Sequence, residues 1–204
     1  MNIFCIGLNY SEHIKEFDRA HLPEAPVIFM KPDTAILKDN EPFYYPAFSK
    51  NIHFEVEILV KIAKNGKNIL PDFSYKYYNE IGVGIDFTAR DLQSELKSKG
   101  MPWEISKGFN GSAPISKFVP KTNFKDVQNI NFSLVKNGQL VQSGNTSDMI
   151  SKVDQIIAHI STYFLLKQGD IIFTGTPKGV GPVQIGDKLE CFIENQKMLE
   201  CEIK

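Results

Sequence analysis

Two glutamates, an aspartate and a histidine stand at spacings that suit a metal ion. In NIHFEVEILV, residues 51–60, His53, Glu55 and Glu57 occupy alternate positions. Alternate side chains of a strand share a face, so the two carboxylates would lie about 7 Å apart, with Phe54, Val56 and Ile58 on the other face. Asp86 follows in GVGIDFTARD. Hard divalent cations such as Mg2+ and Mn2+ prefer carboxylate oxygens. Glu55 and Glu57 would supply two ligands, and Asp86, from a neighbouring strand end, a third. The remaining positions would stay open to water and a substrate. Taken alone, an acidic face on a strand is more often a solvated sheet surface.

Further groups could work beside such an ion. Asp86, Arg90 and Gln93 are spaced i, i+4, i+7. That puts a guanidinium and an amide on one helical face near Asp86. Lys107, in MPWEISKGFNGSAP, could place positive charge where an enolate or a carboxylate develops. His13 and Glu16 in SEHIKE are i, i+3 on a helix and suit a general-base pair. The turn FTGTPKGVGP, residues 173–182, offers backbone N–H groups and threonine hydroxyls to a small carboxylate. It lacks the GxxxxGK[ST] pattern and leads into no convincing helix, which argues against a nucleotide-binding protein.

The elements that must position these groups are mostly strands. Runs rich in Ile, Val and Phe, such as NIFCIGL, VIFMKP, HFEVEILVKIA, EIGVGIDFT and DIIFTGTP, are separated by Gly, Pro, Asn and Asp. Asn137-Gly138 predicts one hairpin, and IENQKMLECEI suggests another at the C-terminus. Helices are expected from Ser11 over SEHIKEF, from Thr88 to Gly100, and over SKVDQIIAHISTYFLL. Strands outnumber helices without alternating with them, which argues for a mainly β (α+β) domain and against a doubly wound sheet. The 204 residues suit one domain, 1–204, with a substantial core. A net charge of −1 gives no basic field for nucleic acid or an anionic membrane. No apolar run is long enough to span a bilayer. The N-terminus lacks a signal-peptide pattern, and three cysteines without CxxC spacing suit a reduced setting. A cytoplasmic protein is expected.

The order HxExE, GxDxTARDxQ, KGxPW followed by a lysine, and FTGTPKGVG resembles the fumarylacetoacetate hydrolase family, from IGLNYSEHIKE to GDKLECFIE. The likeness is to its single-domain members, most of all the acylpyruvate hydrolase and oxaloacetate decarboxylase branch. Asn110 stands where many other members carry an Asp, which favours that branch over the diene-dioate isomerases. The resemblance implies a mixed β-sandwich roll or irregular β-barrel, a homodimer, and one Mg2+ or Mn2+ per chain on Glu55, Glu57 and Asp86. It implies catalytic roles for His13, Glu16, Lys107 and Gln93, with His13 and Glu16 on a lid within residues 11–25. Arg90 and Lys31 would lie near the substrate, and Thr176 would touch its carboxylate. The expected activity is cleavage of the C3–C4 bond of acylpyruvates, decarboxylation of oxaloacetate, or both, through a pyruvate enolate. The alternative is an isomerase, tautomerase or hydratase acting on oxaloacetate or on 2-oxo and 2-hydroxy-diene-dioates. A non-catalytic ligand-binding module fits less well, because the set of residues is intact.

Overall fold

The computed structural model of the protein describes residues 1–15 and 24–204. Its largest sheet has six strands in the order β2 (Val27–Lys31), β1 (Ile3–Gly7), β12 (Ile171–Phe173), β5 (Val56–Ile62), β6 (Tyr78–Ile85) and β9 (Val119–Pro120). The β1–β12 pair is parallel and the others are antiparallel. A four-stranded antiparallel sheet runs β11 (Gln139–Asn145), β10 (Asn131–Lys136), β14 (Lys188–Ile193), β15 (Gln196–Glu202). A small third sheet joins β13 (Gly181–Pro182), β4 (Ile52–Phe54) and β7 (Thr88–Ala89), and β3 (Ile36–Leu37) pairs with β8 (Ala113–Pro114). Among the described residues no sheet closes on itself, so the fold is an open mixed roll and not a barrel.

The two large sheets are held together by one apolar core. Val56, Ile58, Val60 and Ile62 of β5 point into it with Phe132 and Leu134 of β10 and Leu189, Cys191 and Ile193 of β14. The helix α4 (Val153–Tyr163) adds Val153, Ile156, Ile157 and Ile160 at the spacing of one helical face. The other face of β5 carries Glu57 and Leu59. Leu59 joins a smaller core with Ile3, Cys5, Phe29, Ile171 and Phe173. Glu57 therefore faces away from the main core, beside the smaller one.

Both expected hairpins form. Asn137 and Gly138 have φ of 52° and 80°, the left-handed pair that a tight two-residue hairpin needs. Three expectations are corrected. The run 53–63 is not one strand, because it breaks at Glu55 into β4 and β5, which belong to different sheets. The helix expected from Thr88 begins at Arg90 as α3 (Arg90–Ser98), since Thr88 and Ala89 pair with β4. The helix over 151–166 spans only Val153–Tyr163, and Phe164 is already extended. The sequence from Ser11 forms α1 (Ser11–Lys15). A single-turn helix, α2 (Pro71–Ser74), is too short to leave a periodic signal. All three cysteines are free and buried. No described helix is long and apolar enough to cross a membrane.

Candidate active site

Two strands change sheet at the same place. The chain leaves β4 for β5 at Glu55, and leaves β6 for β7 at Asp86 and Phe87. The N–H of Asp86 donates to the carbonyl of Glu55 at 2.8 Å, so the two breaks face one another. This brings an acid from each break together with Glu57, one residue into β5. One oxygen of each of Glu55, Glu57 and Asp86 lies within 4.8 Å of the others. The three are 5%, 2% and 0% exposed, so they are not a solvated sheet face.

Three cations meet these three acids. The Lys107 Nζ donates to Glu55 Oε2 at 2.9 Å and to Asp86 Oδ2 at 2.6 Å. Lys31 Nζ lies 2.8 Å from Asp86 Oδ1 and donates to Ser112 Oγ at 2.9 Å and to the carbonyl of Lys107. Arg90 donates to Glu55 Oε1 from one Nη and to Gln93 Oε1 at 2.8 Å from the other. Thr88 also donates to Glu55, at 3.2 Å. Among the described residues, no lysine or arginine makes an ion pair with Glu57. It accepts the N–H of Gly175 at 2.6 Å. That N–H is presented by a glycine with φ of +102°, where a Cβ would stand 2.7 Å from the Asn9 Cβ.

These surroundings split the acids. Burial pushes both glutamates up, but Lys107 and Arg90 outweigh it at Glu55 and hold that carboxyl well below the usual range. At Glu57 burial is reinforced by Asp86 and Glu55, so its carboxyl is raised well above 4.5. Burial lowers Lys107, yet Asp86 and Glu55 more than compensate and bring it to about 12. An all-oxygen, buried donor set of this kind suits a hard divalent ion. The ammonium of Lys107, bridging Glu55 and Asp86, already shows that the cluster holds positive charge.

A cavity of about 430 Å³ opens over the cluster. His13, Arg90, Gln93, Lys107 and Thr176 line it together with the three acids, and Phe29 and Trp103 form an apolar wall. The Lys107 Nζ sits 5.2 Å from the centre of the Phe29 ring. Lys31, which the resemblance sets near the substrate, is 2% exposed and pairs with Asp86 in the cluster beneath the cavity. Glu16 and most of the 11–25 segment lie outside the described residues. His53 is half-buried and hydrogen-bonded to Asn51 at 3.0 Å, apart from the acid cluster. Burial and Arg90 lower its pKa to about 4. Sequence reasoning flagged the turn that holds Gly175, though not Glu57 as its partner, and missed Ser112 and Gln142. Of these two, only Gln142 left a signal, as a polar residue on the inward side of a strand.

A model described as "Fumarylacetoacetate (FAA) hydrolase C-terminal" matches residues 2–204. The chain belongs to this family. Within it, the mitochondrial oxaloacetate tautomerase FAHD1 of Mus musculus is 41% identical over 203 residues, covering 100% of this chain and 91% of the relative. The oxaloacetate tautomerase YcgM of Escherichia coli is 43% identical over 188 residues, covering 92% and 85%. The crystal structure of fumarylpyruvate hydrolase from Pseudomonas aeruginosa in complex with Mn2+ and pyruvate superposes with a TM-score of 0.94. It is 31% identical and covers 100% of this chain and 89% of its own. The family thus includes enzymes named for oxaloacetate tautomerisation and for cleavage of an acylpyruvate, and the buried acids of this member line a cleft of mixed charge and aromatic character.

Proposed function

We propose that the protein is a divalent-metal-dependent tautomerase that interconverts the keto and enol forms of oxaloacetate. The observation that carries this reading is the charge pattern at the cavity floor, where three buried carboxylates meet three cations. A divalent ion and a dianionic 2-oxo acid together add no net charge to it. Relatives at 41% and 43% identity bear the name of this activity, which supports the choice.

Glu55, Glu57 and Asp86 would hold the ion, Mg2+ or Mn2+, which supplies a Lewis acid for the 2-oxo oxygen. Lys107 adds positive charge where that oxygen becomes negative. His13 takes the proton from C3, and the C–H electron pair becomes the C2–C3 double bond. The imidazolium then returns that proton to the C2 oxygen, giving the enol. Arg90 and Gln93 present donors to the substrate carboxylates, and Thr176 adds a hydroxyl.

Deuterium exchange at C3 of oxaloacetate, followed by NMR with Mg2+ or Mn2+, tests the reading. Exchange should be accelerated by the wild type, abolished in Glu57→Ala and strongly reduced in His13→Ala. A protein that binds the ion and leaves the exchange rate unchanged would sink it.

A second reading is cleavage of acylpyruvates or decarboxylation of oxaloacetate. The likeness to the fumarylpyruvate hydrolase supports it. Each route leaves the electron pair on C3 as the same enolate. Hydrolysis further needs a water, which His13 would deprotonate for attack at C4. Loss of His13 should therefore reduce pyruvate release from acetylpyruvate more than from oxaloacetate. Equal losses would remove that division of roles.

A further inference from the structure

Gln142 lies outside the cavity wall, on β11 of the four-stranded sheet, yet it reaches the site from behind. It is 2% exposed. Its Oε1 accepts the N–H of Val56, between Glu55 and Glu57, at 2.9 Å. Its Nε2 donates to Thr176 Oγ1 and to the carbonyl of Pro177, each at 3.0 Å. Chemistry fixes which way round the amide sits, because a backbone N–H only donates and a carbonyl only accepts. Both Nε2 hydrogens are therefore spent, one of them on Thr176.

The consequence falls on the threonine. Thr176 Oγ1 accepts from Gln142, so its own hydrogen must point elsewhere. Among the described residues, the acceptor it meets is the carbonyl of Pro177 at 3.5 Å, a long contact. The cavity, which Thr176 lines, is the other direction. The turn has little room to shift and escape this arrangement. Gly179, with φ of +97°, lies so close to β11 that a Cβ there would be 2.6 Å from the carbonyl of Val141.

We propose that Gln142 is a positioning residue that fixes the Thr176 hydroxyl as a donor into the cavity, and thereby selects a carboxylate over a neutral amide at that end of the ligand. The proposal rests on reading the cavity as a 2-oxo acid site. It adds a specificity determinant that touches no ligand itself.

Gln142→Glu tests it at nearly constant shape. The new carboxyl still accepts the Val56 N–H. It carries one hydrogen or none where the amide carries two, and Pro177 competes for that one. The Thr176 hydroxyl then turns toward residue 142 and shows lone pairs to the cavity. Calorimetry on Mn2+-loaded protein would compare pyruvate with pyruvamide. The wild type should prefer pyruvate. In Gln142→Glu, pyruvate should weaken about tenfold, the scale of one hydrogen bond to a charged group. Pyruvamide, which brings N–H donors of its own, should hold its affinity or gain. Thr176→Val should lose the preference, with the double variant no worse than Thr176→Val alone. An unchanged pyruvate preference in Gln142→Glu, equal weakening of both ligands, or full additivity with Thr176→Val would each overturn the proposal. If Gln142→Glu does not fold, Gln142→Met compared with and without Thr176→Val gives the same additivity test. Tight pyruvate binding without oxaloacetate exchange would defeat the tautomerase reading and leave this inference standing.

Discussion

Lys107 serves two purposes that substitution can separate. Its ammonium satisfies Glu55 and Asp86, and it faces the place where substrate charge would develop. Lys107→Met removes one partner from a buried ion-pair network, a change that typically costs about 3–5 kcal/mol. Lys31 still holds Asp86 and Arg90 still holds Glu55, so the lower end is expected. In urea unfolding of chelator-treated protein, the variant should lose about 3 kcal/mol of stability. Added Mn2+ should restore most of that loss without restoring activity. Recovery of both would mean that Lys107 only balances charge. Glu57 gives a prediction in pH. Its folded pKa is raised above 4.5, so its contribution to stability is fully present below that value. The contribution is lost as pH rises through the raised folded value. Stability of the chelator-treated wild type should therefore fall over this range, and Glu57→Gln should remove that part of the slope. Mn2+ should bind more tightly as pH rises through the raised folded value, because the ion competes with that proton. A Mn2+ affinity that does not change across this range would contradict the raised carboxyl.

At the scale of elements, the site is made by strands that stop. The alternation in HFEVEIL singles out the two glutamates that the structure brings together with Asp86, and Phe54, Val56 and Ile58 are buried in the core. It does not reveal the break at Glu55, since β4 and β5 continue the same apolar rhythm across it. The break is imposed from outside, by the pairing of β4 with β7 and of β5 with β6. Arg90 and Gln93 were legible because α3 is local, and three residues fix their common face. Gln142 and the pairing of Gly175 with Glu57 were not, because their contacts join segments far apart in sequence whose approach only the packed sheets decide. Asn9 shows the same long-range dependence. It donates to the carbonyls of Ser151 and Thr174 at 3.0 and 2.8 Å and accepts the N–H of Ser151 at 2.7 Å. One side chain thus ties the segment after β1 to the end of β12 and the approach to α4. Asn9→Ala would leave these backbone groups unsatisfied and should lower unfolding stability by about 2–3 kcal/mol. It should also weaken ligand binding, since Gly175, the Glu57 partner, is packed against Asn9. A stability within a few tenths of a kcal/mol of wild type would deny it this tying role.

At the scale of the molecule, the net charge of −1 hides a strong local pattern. Six ionisable groups share one buried cluster, while the main core lies on the opposite side of β5. The fold keeps these charges in a low-dielectric setting, where each affects its neighbours more than it would at the surface. An added divalent ion alone would leave the cluster positive, and an added dianion alone would leave it negative. Each ligand should therefore favour the other, and linkage requires the coupling to be equal in both directions. Oxalate, a dianion, should tighten Mn2+ binding by about tenfold, within the usual range of such couplings. Pyruvate, a monoanion, should do so less. Because the charges are buried, added salt should reduce this coupling far less than it would between surface groups. Titrations of Mn2+ with and without each anion, at low and high ionic strength, measure both effects. Equal help from oxalate and pyruvate would show that charge balance does not govern the choice of ligand, and with it would fall the reason for preferring a dicarboxylate substrate.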